Sequence, residues 1–264
     1  MKIDKVIMSC DDKRYYLDFW EPVSKVWKKK FDIHPVLILF GDKKKLNVSE
    51  EYGTVIEFKT LENIPSYLQA LWVRYWYPIT ESDTTWMVSD IDMFPISRHY
   101  FIDILKDVPD NGFANTNADK TFFPSCYNVA KGKTFKEVLE LPDTWEESIA
   151  IINDIAKNEK DMACTHTPNA IHDHEPTTNN EPFHLWGVDE AYACRQIAKF
   201  TDQSRIYRVE RPGGFCHRRL DRSNWKPEDD KIINEWYNDC HSIRPYSEHK
   251  KEIDRVVNLI LRSS

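Results

Sequence analysis

The chain has 264 residues, 41 % of them hydrophobic and 13 % aromatic, with a formal net charge of −7. That length buries a sizeable core as one large domain or one domain with an appendage, and the charge excludes holding a nucleic-acid backbone by electrostatics alone. No apolar run approaches the ~20 residues of a membrane span, and the opening MKIDKVIMSC enters a strand-like run without a signal-peptide core, so a cytoplasmic location is expected.

The first ninety residues read as strands and helices in alternation. Residues 5–9 (KVIMS) form a short apolar run, followed by a helical pattern over 15–31 that Pro22 interrupts or kinks. PVLILF at 35–40 is β-rich and ends on the turn pair Gly41-Asp42. TVIEF at 54–58 is the next strand. Over 64–78, Tyr67, Leu68, Leu71, Trp72, Tyr75 and Trp76 recur at helical spacing until Pro78 stops them. TWMVS at 85–89 is a fourth strand, closed by Asp90 and Asp92. This order predicts an α/β chain, a mostly parallel central sheet flanked by helices. In such sheets ligands bind beyond the carboxyl ends of the strands. Ser9, Cys10 and Asp11 end the first strand, so they belong on the same rim as the two aspartates.

Farther on, 112–116 reads as a strand and 126–141 as a strand or loop leading into a helix. Residues 158–184 have weak periodicity and read as a long surface loop, a class commonly functional. WGVDEAYACRQI (186–197) is a turn entering a helix with Asp189 as a candidate N-cap. After a short strand at 205–209, two amphipathic helices are expected, over 226–240 and 250–262. The domain reading is therefore 1–225 plus a C-terminal helical extension, 226–264, packed on the same domain. The six cysteines are scattered with no CxxC pair, which points to reduced thiols rather than a disulfide framework or zinc site. With seven glycines and no GxGxxG or Walker loop, a bound phosphate would lack the usual glycine cradle.

Two carboxylates one residue apart just past a strand can both reach a hard divalent cation. Mg²⁺ or Mn²⁺ prefers oxygen, keeps waters, and binds through one or two carboxylates plus substrate phosphates. The competing reading is that both aspartates cap local backbone N–H groups in a turn. On residues 67, 71, 74 and 78, which form one helical stripe, Arg74 borders the buried face and requires an anionic partner, either the site's carboxylates or an acid such as Asp83.

SDIDMFP at a strand end, preceded by an aromatic helix carrying Arg74, resembles the D-x-D segment of the GT-A glycosyltransferases. The polar end Ser9-Cys10-Asp11, the downstream WGVDEAY and a late histidine in GFCHRRLDR extend the resemblance over roughly residues 3–225. In style the chain is similar to small enzymes of this kind in large DNA viruses, for which the compartment would be the host cytoplasm. The resemblance implies a GT-A, Rossmann-like fold and metal-dependent transfer from a nucleoside-diphosphate sugar, with uridine the commonest base, to a glycan or other hydroxyl acceptor. It implies Asp92 as the direct ligand of Mn²⁺ or Mg²⁺, with Asp90 on the metal or the ribose and His217 as third ligand. Ser9, Cys10, Asp11, Arg74 and Arg218 would contact the nucleotide or its phosphates, with Arg219 and Arg222 as further phosphate contacts. Asp189 and Glu190 would meet the acceptor, as general base or as positioning groups. Gly213-Gly214 would let the chain fold over the diphosphate, and Trp186 would offer a stacking face.

Three other readings compete. A metal-dependent nucleotidyltransferase or phosphatase also uses paired aspartates, but the first wants a glycine-rich loop and the second a D-x-D after the first strand, where this chain has SCDD. A non-catalytic sugar-binding module explains the tryptophans and not the carboxylates. A zinc site at His166, His172, His174 and His184 lacks helical spacing or cysteine pairs; an acceptor-gating loop suits that segment better.

Overall fold

A computed structural model of the chain describes residues 1–117, 123–158, 187–209, 211 and 217–263. Its centre is a seven-stranded sheet in the order β3-β2-β1-β4-β7-β6-β8. These strands are β1 Lys5–Asp11, β2 His34–Phe40, β3 Thr54–Glu57, β4 Thr85–Val88, β6 Phe113–Asn115, β7 Asn128–Lys131 and β8 Ile206–Arg208. Strands β3, β2, β1 and β4 run parallel, and β7 is antiparallel to both β4 and β6. The α/β expectation of a mostly parallel sheet flanked by helices holds.

The side-chain period of two sorts each strand between two cores. Val6, Met8 and Cys10 of β1, Leu37 and Leu39 of β2 and Met87 of β4 face one apolar cluster; Ile7, Val36, Ile38, Trp86 and Val88 face the other. Strands covered on both faces read as continuous apolar runs, which is why PVLILF carries no polar residue. On the first face lie α1 Arg14–Leu17, α2 Trp20–Val26 and α9 Tyr246–Arg262. On the second lie α3 Ser66–Trp76, α5 Gly132–Leu139, α6 Trp145–Asn158 and α7 Val188–Lys199. Pro22 sits in the first turn of α2, where its missing N–H costs nothing, and the chain breaks before it rather than kinking through it.

A second sheet of three strands, β5-β10-β9, lies beside the first. It joins β5 Met93–Pro95 to β10 Asp239–His241 (antiparallel) and β10 to β9 Arg219–Asp221 (parallel). A short helix, α4 Arg98–Phe101, follows β5. Here the structure departs from the sequence reading. The expected helix over 226–240 is confined to α8, Asp229–Ile233, and the segment then turns through Glu235, whose φ is 53°, into β10. Residues 226–264 thus contribute a strand to a sheet shared with residues 93–95 and 219–221.

Candidate active site

The turn Ser89–Asp92 joins β4 of the large sheet to β5 of the small one, so its two aspartates sit on a seam. Ser89 N–H still bonds to Ile7 O (3.0 Å), continuing the ladder with β1, and Ser242 N–H donates to Asp92 O (3.0 Å) from the far side. The seam lies at the carboxyl rim of β1 and β4, where Asp11 also ends its strand. The two carboxylates point into different surroundings.

Asp90 turns toward α3. Its Oδ1 accepts from Arg74 Nη1, while Arg74 Nη2 reaches Asp189 Oδ2 at 3.3 Å and Arg74 Nε donates to Leu71 O at 3.1 Å. One guanidinium, buried with 4 % exposure, therefore bridges the first aspartate of the D-x-D and the first turn of α7. Burial opposes its charge, but Asp90 and Asp189 more than restore it, so Arg74 stays a cation. Asp83, the alternative partner, instead pairs with Lys133 at 2.8 Å.

Asp92 is buried and faces the small sheet. His241 Nε2 lies 3.4 Å from its Oδ2, and Arg222 Nη1 and Arg244 Nε each lie 3.6 Å from it. His241 Nδ1 faces Asp221 Oδ2 at 3.4 Å. Burial alone would raise the Asp92 carboxyl; His241, Arg244 and Arg222 overcome it and hold the carboxyl well below the usual range. Burial lowers the His241 imidazole, but the flanking Asp92 and Asp221 carboxylates raise it above its ordinary value. Arg244 also donates to the Tyr16 hydroxyl and stacks near the rings of Tyr15 and Tyr16 (5.5 and 5.1 Å to their centroids).

At the start of α7, Asp189 is 1 % exposed, and burial raises its carboxyl against the pull of Arg74. Glu190 is half-buried and accepts from Ser125 N–H at 2.7 Å. Burial, reinforced by Asp189, pushes its carboxyl up to about 7.

The other expected site residues fall as follows. Ser9 donates to Ala70 O and Cys10 donates to Asp11 O, both within the protein. Asp11 is buried and accepts from Ser66 Oγ at 3.0 Å and Lys13 N–H at 3.2 Å. The imidazole beside Asp92 is that of His241, not of His217. His217 is exposed, its ring centroid 6.3 Å from that of Trp236, and Arg218 is exposed over the same indole at 5.5 Å. Arg219 points to Asp239, with Nη2–Oδ2 2.8 Å, whereas Arg222 does reach the carboxylates. Trp186, Gly213, Gly214 and the loop histidines His166, His172, His174 and His184 lie outside the described residues. Sequence reasoning missed His241 and Arg244 because the expected helix over 226–240 covered the start of β10, the strand whose pairing brings them to Asp92. Asp239-Cys240-His241 alternates polar, apolar, polar, but three residues are too few for that alternation to be told from chance.

Among the described residues no group of three or more His, Cys, Asp and Glu side chains is arranged to hold a metal ion. The donors at the seam are carboxylate oxygen and one imidazole, a set that suits a hard cation whose remaining positions go to water and phosphate rather than a closed protein cage.

No protein-family model matches the chain, and no curated protein matches it significantly. Solved structures do. An active-site mutant of LgtC matches with a TM-score of 0.51 at 11 % identity, over 97 % of this chain and 94 % of LgtC. The galactosyltransferase LgtC in complex with donor and acceptor sugar analogues matches at 0.47 and 10 % identity, over 97 % and 95 % of the two chains. The glycosyltransferase GlyE of Streptococcus pneumoniae TIGR4 matches at 0.45 and 12 % identity over 98 % of this chain. The chain spans 63 % and 62 % of the length of the two GlyE structures. At these identities the likeness concerns the fold alone: the chain has the GT-A fold of LgtC.

Proposed function

We propose that the chain is a metal-dependent glycosyltransferase that moves a sugar from a nucleoside-diphosphate sugar, with UDP the first base to test, to a glycan or other hydroxyl acceptor. The observation that carries this reading is the split of the D-x-D pair. An ionised, buried Asp92 faces an imidazole and two guanidiniums, while Asp90 is tied through Arg74 to the acids of α7. Asp92 and His241, with Asp90 released from Arg74, would hold Mg²⁺ or Mn²⁺; when bound, that ion stabilises the departing diphosphate as a Lewis acid. Arg222 and Arg244 would take phosphate oxygens by charge-assisted hydrogen bonds, replacing the glycine cradle the chain lacks. Asp11, at the end of β1, and the rings of Tyr15 and Tyr16 beside Arg244 would frame the nucleoside, with Cys10 hydrogen-bonded to Asp11 O and Ser9 tying the strand to α3 through Ala70 O.

Asp189 and Glu190 would face the acceptor. Asp189, buried on Arg74, fixes the guanidinium, and Glu190, with its carboxyl near neutrality, is suited to take or give a proton at an acceptor hydroxyl. The free thiols of Cys10, Cys126, Cys194 and Cys240 agree with action in a reducing, cytoplasm-like compartment. No described helix is long and apolar enough to cross a membrane.

Calorimetric titration with UDP, with and without Mn²⁺, tests the reading. Binding should require the ion and be lost in Asp92→Ala and His241→Ala with the circular dichroism spectrum unchanged, and it should survive in His217→Ala. Metal-independent UDP binding by Asp92→Ala at the parent's affinity would overturn the assignment.

A further inference from the structure

Beside the seam lies a buried ion cluster built from Asp239, Arg211 and Arg219. Asp239, with 0 % exposure, is gripped by two guanidiniums. Arg211 holds it in a fork, Nη1 to Oδ1 at 2.9 Å and Nη2 to Oδ2 at 3.0 Å. Arg219 adds Nε and Nη2 to Oδ2 at 3.1 and 2.8 Å. Arg211 also donates to the Tyr100 hydroxyl (3.0 Å) and to His217 O (3.2 Å).

The position of this cluster in the ladder gives it a purpose. In the parallel pair β9–β10, Asp239 is opposite Arg219, Cys240 opposite Leu220, and His241 opposite Asp221. Leu220 and Cys240 face the apolar core, so the residues on either side of them share the opposite face. That face carries the Arg219–Asp239 rung and, two residues on, the Asp221–His241 rung that meets Asp92. A slip of one residue would send His241 to the core face and Cys240 to Asp92. Strands of three residues have few ladder bonds with which to resist such a slip, and an apolar core accepts Leu, Cys or a neighbour with little discrimination. A buried forked carboxylate accepts one register.

We propose that Asp239, clamped by Arg211 and Arg219, is a positioning residue that sets the register of β9 and β10 and so delivers His241 and Asp221 to Asp92. The inference rests on the donor-site reading for its consequence in binding, although the register itself can be read without it. Replacing a buried ion cluster by apolar groups of similar size is often neutral or stabilising, while specificity of register is the best-attested use of such clusters.

The test is nitrogen-15 NMR of the His241 ring in the parent and in the triple variant Arg211→Met, Asp239→Leu, Arg219→Met. The parent should give one His241 signal set with both ring nitrogens hydrogen-bonded. The triple variant should melt no lower than the parent, yet lose that signature and bind Mn²⁺–UDP about 10–100-fold more weakly, the range seen when groups supporting a metal ligand are removed. Asp239→Asn should lose the signature as well; should it fail to fold, the triple variant decides. A triple variant with the parental His241 signature would overturn the inference. A parent with the signature but no Mn²⁺–UDP binding would overturn the donor-site reading alone, and loss of the signature in the triple variant would still establish the register lock.

Discussion

At the scale of single residues, the two acids that open α7 are chemically unlike despite being adjacent. Asp189 is walled in on Arg74, whereas Glu190 is half-exposed with its carboxyl near 7. Glu190→Gln is expected to keep UDP affinity and lower sugar transfer by roughly 10²–10⁴-fold, the usual span for a lost proton-transfer group. Asp189→Asn keeps a side-chain oxygen for Arg74 Nη2 to donate to and should cost less; paired binding and transfer assays check the order, and the reverse order would move proton handling to Asp189. The raised Glu190 carboxyl has a second consequence. The folded protein keeps this proton up to about pH 7, while the unfolded chain releases it near the ordinary value of 4.5. Between those limits the folded state binds more protons, so this group makes stability fall as pH rises through the window. Urea midpoints of parent and Glu190→Gln, compared at about pH 5 and about pH 8, should show a smaller fall in the variant. The sequence made Asp90, Asp92, Arg74 and Asp189 legible because a strand end, a helical stripe and a helix start each leave a local pattern. His241 and Arg244 left none: they reach Asp92 through a nonlocal strand pairing.

At the scale of elements, close approach between neighbours sets what the sequence can change. Gly132 opens α5 directly against the turn after α3; a Cβ there would stand 2.1 Å from Pro78 O and 2.6 Å from Glu81 O. Both are backbone atoms that no rotamer can move aside. Gly132→Ala should destabilise by about 1–3 kcal/mol or more, read as a lower urea midpoint at unchanged slope. The long parallel strands and α3 were readable from period and from their proline and glycine stops. Helix α6 is also written in the chain, with Ile149, Ile152 and Ala156 on one buried face. The three-residue strands β5, β9 and β10 are below the length at which an alternation can be told from chance, and Ile232, Ile233, Trp236 and Tyr237 mimic a longer helix than α8. Only pairing in space reveals those strands.

At the scale of the whole molecule, a ligand that occupies the seam binds groups from the end of β1, the β4–β5 turn, β10 and the segments just after β9 and β10 at once, and these come together only in the folded chain. UDP with Mn²⁺ at a hundred times its dissociation constant should stabilise by about 2.7 kcal/mol, a rise of roughly 5–10 °C in melting temperature for a chain of this size. A shift absent with either component alone would mark the two as binding together. The small sheet also ranks lowest in local persistence. Strands β5 and β10 are joined by three residue pairs across about half of the chain's length, whereas β1 and β2 share seven across a short connection. Regions with few cooperative contacts open before the global transition, and closing a long loop for a short ladder recovers little of its entropy. Mild denaturant should therefore unzip β10 from β5 while the seven-stranded sheet persists, so the protein would go deaf to its donor before it loses its shape.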